Sequence, residues 1–313
     1  MKFLAGALAL IALAAAAPMF VHLEYFYFAG FVVLQFIVLA TAWNILGGFA
    51  GYVNFGTGAF FAVGAYTAVA LYKWVQLPLG LQILAGAATA GLLGFGVGML
   101  TLRLRGIFFS IATIAITIIL ETVVMNWTYV GGAKGLPILR PTEIPLHFTN
   151  YTQWLFLVMT VIAVIAVAVA RYIQVGWIGR GLRAIRDNEE AAECSGVPTL
   201  KLKLGAATIS GALMGAAGAP FAQYLSFIEP SSAFSLNYAV NALAMPLIGG
   251  TAHWIGPVIG AILLGTVQQV VTVTISSEIN VLVVGVMLVV FVVGAPEGIL
   301  GLWRRYVLKK GGP

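Results

Sequence analysis

The sequence predicts an all-α, polytopic transmembrane helical bundle of about 8–10 spans with a cytoplasmic loop. Of its 313 residues, 61% are hydrophobic and 8% are charged, whereas about 25% of residues are charged in soluble domains. The mean hydropathy is +1.02, which excludes both a water-soluble domain and a disordered chain. The apolar runs are long and continuous rather than alternating, which disfavours a β-barrel. The single cysteine, Cys194, allows no intramolecular disulfide.

The N-terminal segment, residues 1–26, is predicted to form the first span. Lys2 followed by an apolar run to Ala17 also has the three parts of a secretory signal peptide. We favour the retained helix because a polytopic protein needs no separate export signal and Pro18 crowds the cleavage point.

Further apolar stretches follow along the chain, so residues 1–313 are predicted to form a single transmembrane domain. The segment Asn237 to Ile248 alone is too short to cross, and we therefore extend its span to begin near Ser231. The predicted spans after the first are 27–46, 57–75, 80–102, 106–127, 152–172, 201–226, 231–250, 255–276 and 280–299.

The distribution of basic residues predicts the orientation. With the N-terminus inside, only Lys73, Lys134 and Arg140 of the 16 Lys and Arg residues lie outside. Cytoplasmic loops retain Lys and Arg, so this arrangement places the N-terminus, if uncleaved, and the C-terminus in the cytoplasm. The net charge of +6 then follows from topology and does not indicate nucleic acid binding.

The connection at residues 176–198 is too polar to span and is predicted to form a cytoplasmic segment. Its charges are ordered, with Arg180, Arg183 and Arg186 before Glu189, Glu190 and Glu193. One continuous helix would place both groups against the helix dipole. Two short helices remove the conflict, with Arg183 and Arg186 in the last turn of the first. Asp187 is then the predicted N-cap of the second, with Glu190 three residues later, and Gly196 ends it.

A second informative region is glycine-rich. Residues 47–58 contain five glycines at a point where one span ends and another begins. Two interpretations stay open: close helix packing, or an unwound turn whose backbone and following helix N-terminus face a translocated solute. The candidate pathway residues of the second interpretation are Gly51, Tyr52, Asn54 and Thr57.

Other candidate residues are few. Glu121 is the only acid well inside an apolar span, roughly 24 Å from the inner end. It is either a further candidate pathway residue, or a glutamate that reaches the outer headgroups or pairs with a neighbouring helix. His22, His147 and His253 show no paired ligand spacing, and no GxxxxGK[ST], HExxH or GxSxG motif occurs. The sequence therefore predicts no metal, no cofactor and no enzymatic activity of its own.

The polar segment carries a resemblance to a known class of protein. Glu190-Ala191-Ala192, followed after three residues by Gly196, resembles the EAA–x3–G signature of permease subunits of bacterial ABC importers. The preceding residues 179–188 resemble the loop of the branched-chain amino-acid permease family. The distal Ile-x-Leu-Pro of the older signature is absent.

Further blocks along the chain resemble the same family, and within it the M-type subunit. Thr57 stands where the family often has histidine, and Val130 replaces the threonine of the outer-loop pattern. The similar blocks are 51–66, 131–135, 247–250 with 256–261, and 296–298 with 301–302.

The resemblance implies a permease subunit of an ATP-driven importer in the bacterial inner (plasma) membrane. Its substrates would be branched-chain amino acids or related small polar solutes, and the sequence does not separate these from urea, amides or aromatic compounds. The implied partners are a paralogous permease subunit, two ATP-binding subunits, an external substrate-binding protein and membrane lipid. The residues implied to couple to the ATPase are Arg183, Arg186, Asp187, Glu190, Ala191, Ala192 and Gly196.

An ion-coupled secondary carrier or channel is the alternative. Such a carrier would need several buried ionisable groups near the midplane, and only Glu121 qualifies. The ordered charges of residues 176–198 therefore favour the ABC permease.

Overall fold

The computed structural model describes residues 2–138, 148–274, 277–295 and 297–303 of the chain. Arg140, His147, Pro296 and the basic C-terminal residues from Arg304 onward, all used in the sequence interpretation, lie outside the described residues. In the described ranges the α-helices are α1 Lys2–Phe20, α2 Glu24–Ala50, α3 Thr57–Val75, α4 Leu79–Thr101, α5 Ile107–Met125, α6 Tyr151–Val175, α7 Trp177–Asp187, α8 Glu189–Cys194, α9 Thr199–Leu225, α10 Pro230–Ala233, α11 Leu236–Gly249, α12 Gly256–Thr274 and α13 Ser277–Gly294.

Within the described part of the chain, nine segments are long and apolar enough to cross a membrane. They are α1 to α6, α9, α12 and the segment Val281–Trp303. This confirms the predicted polytopic helical bundle, and the number falls within the predicted range.

The helices differ in how much protein surrounds them. In α2 and α9, 72% of the membrane-spanning window is buried inside the protein, compared with 6% in α1 and 18% in the last span. Lipid tails are as apolar as leucine side chains, so apolar helix surface is equally stable against lipid and against protein. The helix α1 and the last span can therefore lie at the periphery. The core of the bundle is therefore built around α2 and α9.

Glycines bring three of the helices together. A Cβ atom on Gly64 of α3 would overlap the carbonyl oxygen of Gly215 of α9, and one on Gly215 would overlap that of Gly86 of α4. Farther along α4 and α9, a Cβ on Gly94 of α4 would lie 2.7 Å from the carbonyl oxygen of Ala207 of α9. Small residues let helix backbones approach closely in membranes, so α3, α4 and α9 form one tightly packed unit.

A short antiparallel strand pair joins two connections. Leu136–Pro137 (β1) follows α5, and Phe227–Ile228 (β2) follows α9, with Leu136 paired to Ile228. Since α5 and α9 both run away from α7 and α8, this pair marks the end of the bundle opposite those two helices. We call the end that carries α7 and α8 the loop end.

The predicted span from Ser231 to Gly250 is not one continuous helix. The chain there forms the four-residue α10 and then α11, which has 14 residues and is about 21 Å long at 1.5 Å per residue. That length falls short of a hydrocarbon core of about 30 Å. The segment nevertheless advances toward the loop end beside α2, because Phe36 contacts Tyr238 and Asn44 donates to the Thr251 carbonyl.

Candidate functional site

Two short helices, α7 and α8, form the polar segment. Asn188 separates them, and its side-chain oxygen accepts a hydrogen bond from the Ala191 amide at 3.1 Å. The N-cap is therefore Asn188, and the prediction of Asp187 is wrong by one residue. Asp187 instead ends α7, with its carboxylate 3.6 Å from the Arg186 Nε. Gly196 follows α8 with a φ of +81°, a conformation that favours glycine.

Helix α7 is amphipathic, and its apolar side packs against the rest of the bundle. Gly179, Leu182 and Ile185 are buried at a spacing of three residues, whereas Arg180 and Asp187 are exposed. A Cβ on Gly179 would overlap the carbonyl oxygen of Ile173, so glycine lets α7 turn tightly against the end of α6. The polar side of α7 therefore faces away from the bundle.

The predicted coupling residues divide by exposure. Arg183 is half-buried, and Ala192 is 4% exposed and belongs to the hydrophobic core. Ala192 therefore anchors α8 to the bundle, and a contact surface for a partner is left to the exposed members. These are Arg186, Asp187, Glu190, Ala191 and Gly196.

The glycine-rich region contains a hydrogen-bonded turn at residues 51–56. Gly51 ends α2 with a φ of +78°. The Asn54 side-chain oxygen accepts from the Gly56 amide at 2.7 Å, and the Trp43 indole donates to the Asn54 carbonyl at 2.8 Å. The predicted break in the helix is present, and Asn54, 3% exposed, holds it from inside.

The turn leads directly into the N-terminus of α3. Thr57 is fully buried, and its hydroxyl has no hydrogen-bond partner among the described residues. A Cβ on the next residue, Gly58, would lie 3.0 Å from the Ser235 carbonyl oxygen, just before α11 begins. The starts of two helices therefore meet around an unpaired hydroxyl.

The structure does not bring Glu121 to this point. On α5, Thr113 accepts a hydrogen bond from the Phe55 amide at 3.1 Å. Glu121 is eight residues farther along the same helix, about 12 Å at 1.5 Å per residue, and is half-buried. The candidate pathway residues Gly51, Tyr52, Asn54 and Thr57 thus lie in and beside the turn, and Glu121 lies apart from them.

A buried cluster of Tyr52, Glu189 and Lys203 connects the turn to α8. The Lys203 ammonium donates to Glu189 Oε1 at 2.6 Å, to the Tyr52 hydroxyl at 3.0 Å and to the Leu102 carbonyl at 3.1 Å. The Tyr52 hydroxyl donates to Glu189 Oε2 at 2.5 Å. Lys203 is 3% exposed. We refer to these three residues as the Lys203 cluster.

Hydrogen bonds within the Lys203 cluster keep the Glu189 carboxylate ionised although it is largely buried. Burial alone would raise the pKa of the Glu189 carboxyl, but the hydrogen bonds from Lys203 and Tyr52 outweigh it and lower that pKa below its ordinary value. Burial and the neighbouring carboxylate raise the pKa of Tyr52. The cluster therefore contains an ionised Glu189 and a neutral Tyr52 at neutral pH.

Sequence reasoning missed Glu189 and Lys203 as functional residues. The two are 14 positions apart, and Lys203 is 151 positions from Tyr52. Nothing in local spacing indicates which of three neighbouring acids meets the lysine. The one available signal was a lysine inside the apolar start of α9, because a charge there needs a partner.

An open cavity of about 410 Å³ lies beside the Lys203 cluster at the loop end. Its lining combines the turn, the start of α5 and the loop helices, including Tyr52, Val53, Ser110, Arg186 and Glu189. On its rim Arg105 pairs with the exposed Glu190 at 2.8 Å. Arg186 reaches across to donate to the Gly48 carbonyl at 3.1 Å. The Arg186 Cγ also lies 2.9 Å from where a Cβ on Gly51 would stand, so the turn is close to both loop helices.

The sequence is similar to those of known membrane transport proteins. Residues 25–292 match the model of the family described as branched-chain amino acid transport system / permease component. The high-affinity branched-chain amino acid transport system permease protein LivM of Salmonella typhimurium is 29% identical over 307 residues, covering 88% of this chain and 70% of that protein. The Escherichia coli LivM is 28% identical over 301 residues, with the same coverage. A ribose import permease protein, RbsC of Haemophilus influenzae, is 33% identical over 94 residues, 28% of each chain. No solved structure matches.

Proposed function

Since the chain belongs to the family of branched-chain amino acid transport permease components, we propose that it conducts branched-chain amino acids through a membrane complex driven by separate ATP-binding subunits. It is a multi-pass inner-membrane permease subunit of an ABC importer and not an enzyme. The family match replaces the alternative of an ion-coupled carrier. The proposal extends to three matters: the surface that binds the ATPase, the residues that line the pathway, and the orientation of the chain.

The exposed polar side of α7 and α8 is the proposed docking surface for an ATP-binding subunit. Its single strongest support is the division of α7 into a buried apolar side and an exposed charged side. Asp187 and Glu190 have 74% and 76% of their side chains exposed, so most of their surface is free to contact a partner. Charge-assisted hydrogen bonds to a partner contribute about 1.5–3 kcal/mol each.

Charge reversal tests the docking surface. We expect Asp187→Lys and Glu190→Lys to reduce co-purification of the ATP-binding subunits and to uncouple ATP hydrolysis from transport, with membrane insertion unchanged. Lys134→Glu is the matched control, because Lys134 is exposed and lies at the opposite end of the bundle. Normal transport and substrate-stimulated ATPase activity in both loop variants would disprove the assignment.

The turn 51–56 and the start of α3 are the proposed pathway element. The unpaired Thr57 hydroxyl and the free amide groups at the α3 N-terminus together suit a substrate carboxylate. The break between helices at this point is typical of substrate sites in transporters. Contacts to substrate are expected to be weak, because tight binding slows release.

Replacing Thr57 with valine tests the pathway element at constant shape. Thr57→Val removes only the hydroxyl, so we expect slower transport with normal assembly and basal ATPase activity. Thr41→Val in α2 is the matched control, since the Thr41 hydroxyl is also fully buried and also lacks a partner among the described residues. Equal transport by the two variants would remove Thr57 from the pathway.

Both termini are proposed to be cytoplasmic, with the loop end facing the cytoplasm. The support is the basic residue asymmetry, which keeps 13 of 16 Lys and Arg residues (16 less Lys73, Lys134 and Arg140) on one side. The exposed Cys194 should resist an impermeant thiol reagent added outside, whereas Thr142→Cys should react. The opposite labelling would invert the orientation.

The remaining proposed partners follow from the same architecture. The exposed apolar sides of α5 and the last span, of which 22% and 18% are buried inside the protein, are available to lipid and to a paralogous permease subunit. An external substrate-binding protein would meet the end that carries β1 and β2. Co-purification of both partners with the intact complex tests this composition.

A further inference from the structure

We propose that the Lys203 cluster is the mechanical link through which movement of the loop helices reaches the turn 51–56. This inference rests on the proposed function, because it takes the loop as the docking surface and the turn as part of the pathway. Tyr52, Glu189 and Lys203 are therefore assigned as positioning residues that act through the turn. None of them needs to touch the substrate.

One ammonium group joins four structural elements. Glu189 is the first residue of α8, Tyr52 lies in the turn, Leu102 follows α4, and Lys203 belongs to α9. A lysine has three donor hydrogens, and the three acceptors at 2.6–3.1 Å use all of them. No donor remains to exchange one partner for another, so the four elements are held in one arrangement.

Burial makes this arrangement costly to break. Lys203 is 3% exposed and the Glu189 side chain 14% exposed. Separating a buried charged pair leaves each charge without compensation. A displacement of α8 therefore keeps Glu189 with Lys203, and the Tyr52 hydroxyl, which is hydrogen-bonded to both, moves with them.

The contacts of Tyr52 would pass a displacement on to the turn and to α5. Its ring lies edge-on to Phe109 of α5, with 5.2 Å between the ring centroids. The next residue, Val53, accepts a hydrogen bond from Ser110 through its carbonyl at 2.9 Å. The turn thus has the cluster on one side and the start of α5 on the other.

The exposed rim contacts do not form an equivalent link. The Arg105–Glu190 pair has side chains 55% and 76% exposed, and water replaces such contacts at little cost. Arg186 reaches the turn region through a flexible side chain that is one-third exposed. The path from α8 to the turn through Glu189 and Tyr52 is far less exposed, with the Glu189 side chain 14% and Tyr52 8% exposed.

The test uses the single native cysteine of the chain. Cys194→Ser removes it, and Val53→Cys then places one thiol in the turn, where Val53 is 37% exposed. The assembled complex in lipid nanodiscs is reacted with a soluble maleimide in the nucleotide-free and the vanadate-trapped states. We expect the labelling rate to change by about fivefold or more between the two states, as for coupled sites in general.

Tyr52→Phe then removes the link without leaving a new charge. We expect the nucleotide-dependent change in labelling to shrink to less than about twofold, with transport per ATP falling in parallel and ATP hydrolysis retained. Tyr27→Phe is the matched control, since its hydroxyl donates to the Val21 carbonyl at the opposite end of the bundle, and it should keep the full response.

Two outcomes would overturn the link. One is a nucleotide response in Tyr52→Phe equal to that of the Tyr27→Phe control, and the other is no response at position 53 even with Tyr52 present. If Tyr52→Phe does not assemble, Glu189→Gln, which keeps an acceptor and removes the charge, is measured in the same way. Failure of the proposed docking surface is distinguishable, because the ATP-binding subunits would then co-purify normally with Asp187→Lys and Glu190→Lys.

Discussion

Two breaks interrupt the bundle at its loop end, the turn at residues 51–56 and the connection at residues 250–255. Both begin at the glycine that caps the preceding helix, and Gly51 and Gly250 have φ angles of +78° and +114°. Their surroundings differ. The turn contacts charged loop residues and leads to the unpaired Thr57 hydroxyl. At the connection, by contrast, the backbones of neighbouring segments pack directly against each other.

The connection at 250–255 shows what glycine does as a packing residue. A Cβ on Gly249 would overlap the Gly256 carbonyl, one on Gly260 would overlap the Met245 carbonyl, and one on Gly298 would overlap the backbone of Gly250. By contrast, the nearest atom to a Cβ on Gly51 is Cγ of the flexible Arg186 side chain, at 2.9 Å. Glycine is therefore required for space at Gly249 and Gly260 beside one break, whereas at Gly51 of the other break it is required for backbone conformation.

The largest expected effect is at the packing break. Gly249→Ala should destabilise the protein by about 3 kcal/mol or more, because neither neighbouring backbone can move aside. Gly96→Ala in α4 is the matched control, since a Cβ there meets no atom within 4 Å. The comparison is made from the thermal unfolding midpoints of the two purified variants. Equal midpoints would mean that the two breaks do not differ in the way described.

An intermediate effect is expected in the turn. Asn54→Leu removes the acceptor of the buried Gly56 amide and should cost about 1–3 kcal/mol of stability, with a lower transport rate and a complex that still assembles. Asn54→Ser keeps an oxygen that can accept the same hydrogen bond and should recover part of both. Stability is measured by thermal unfolding and transport in proteoliposomes. If Asn54→Leu transports normally while Gly56→Leu prevents assembly, the turn is a packing element like the second break.

The smallest effect is expected at Gln174, which holds the second break from α6. Its amide donates to the Ala252 carbonyl at 3.0 Å and accepts from the Trp254 amide at 2.8 Å. Ala252 is exposed, so water can replace these bonds, and Gln174→Met should cost only about 0.5–1 kcal/mol. Transport should stay unchanged. A large loss of transport would mean that this connection also takes part in the pathway.

The sequence predicted the helical bundle well because its signals are local. Continuous apolar runs mark the spans, ordered charges required two loop helices, and the glycines of residues 47–58 marked the break before Thr57. The one-residue error at Asp187 arose because Asp and Asn are both good N-caps. Only the hydrogen bond that the Ala191 amide donates to the Asn188 side chain distinguishes them.

The remaining errors and omissions concern contacts between distant parts of the chain. A span from Ser231 to Gly250 satisfied the charge asymmetry, and hydropathy alone could not reveal that α11 begins only at Leu236. The Lys203 cluster joins residues up to 151 positions apart. Such partners are set by how α4, α8 and α9 meet, so no pattern in a single sequence predicts them.

The central position of α3 and α9 has a consequence for how the chain enters the membrane during synthesis. Their mean hydropathies, 1.2 and 1.3, are the lowest among the candidate spans, whereas that of α6 is 2.5. Helices of low hydrophobicity partition weakly into lipid by themselves. Their glycine surfaces match each other, yet more than 120 residues separate Val75 from Thr199. Helix α3 therefore emerges long before its main neighbour, and we expect stable insertion of the pair to be completed only when α9 has been made.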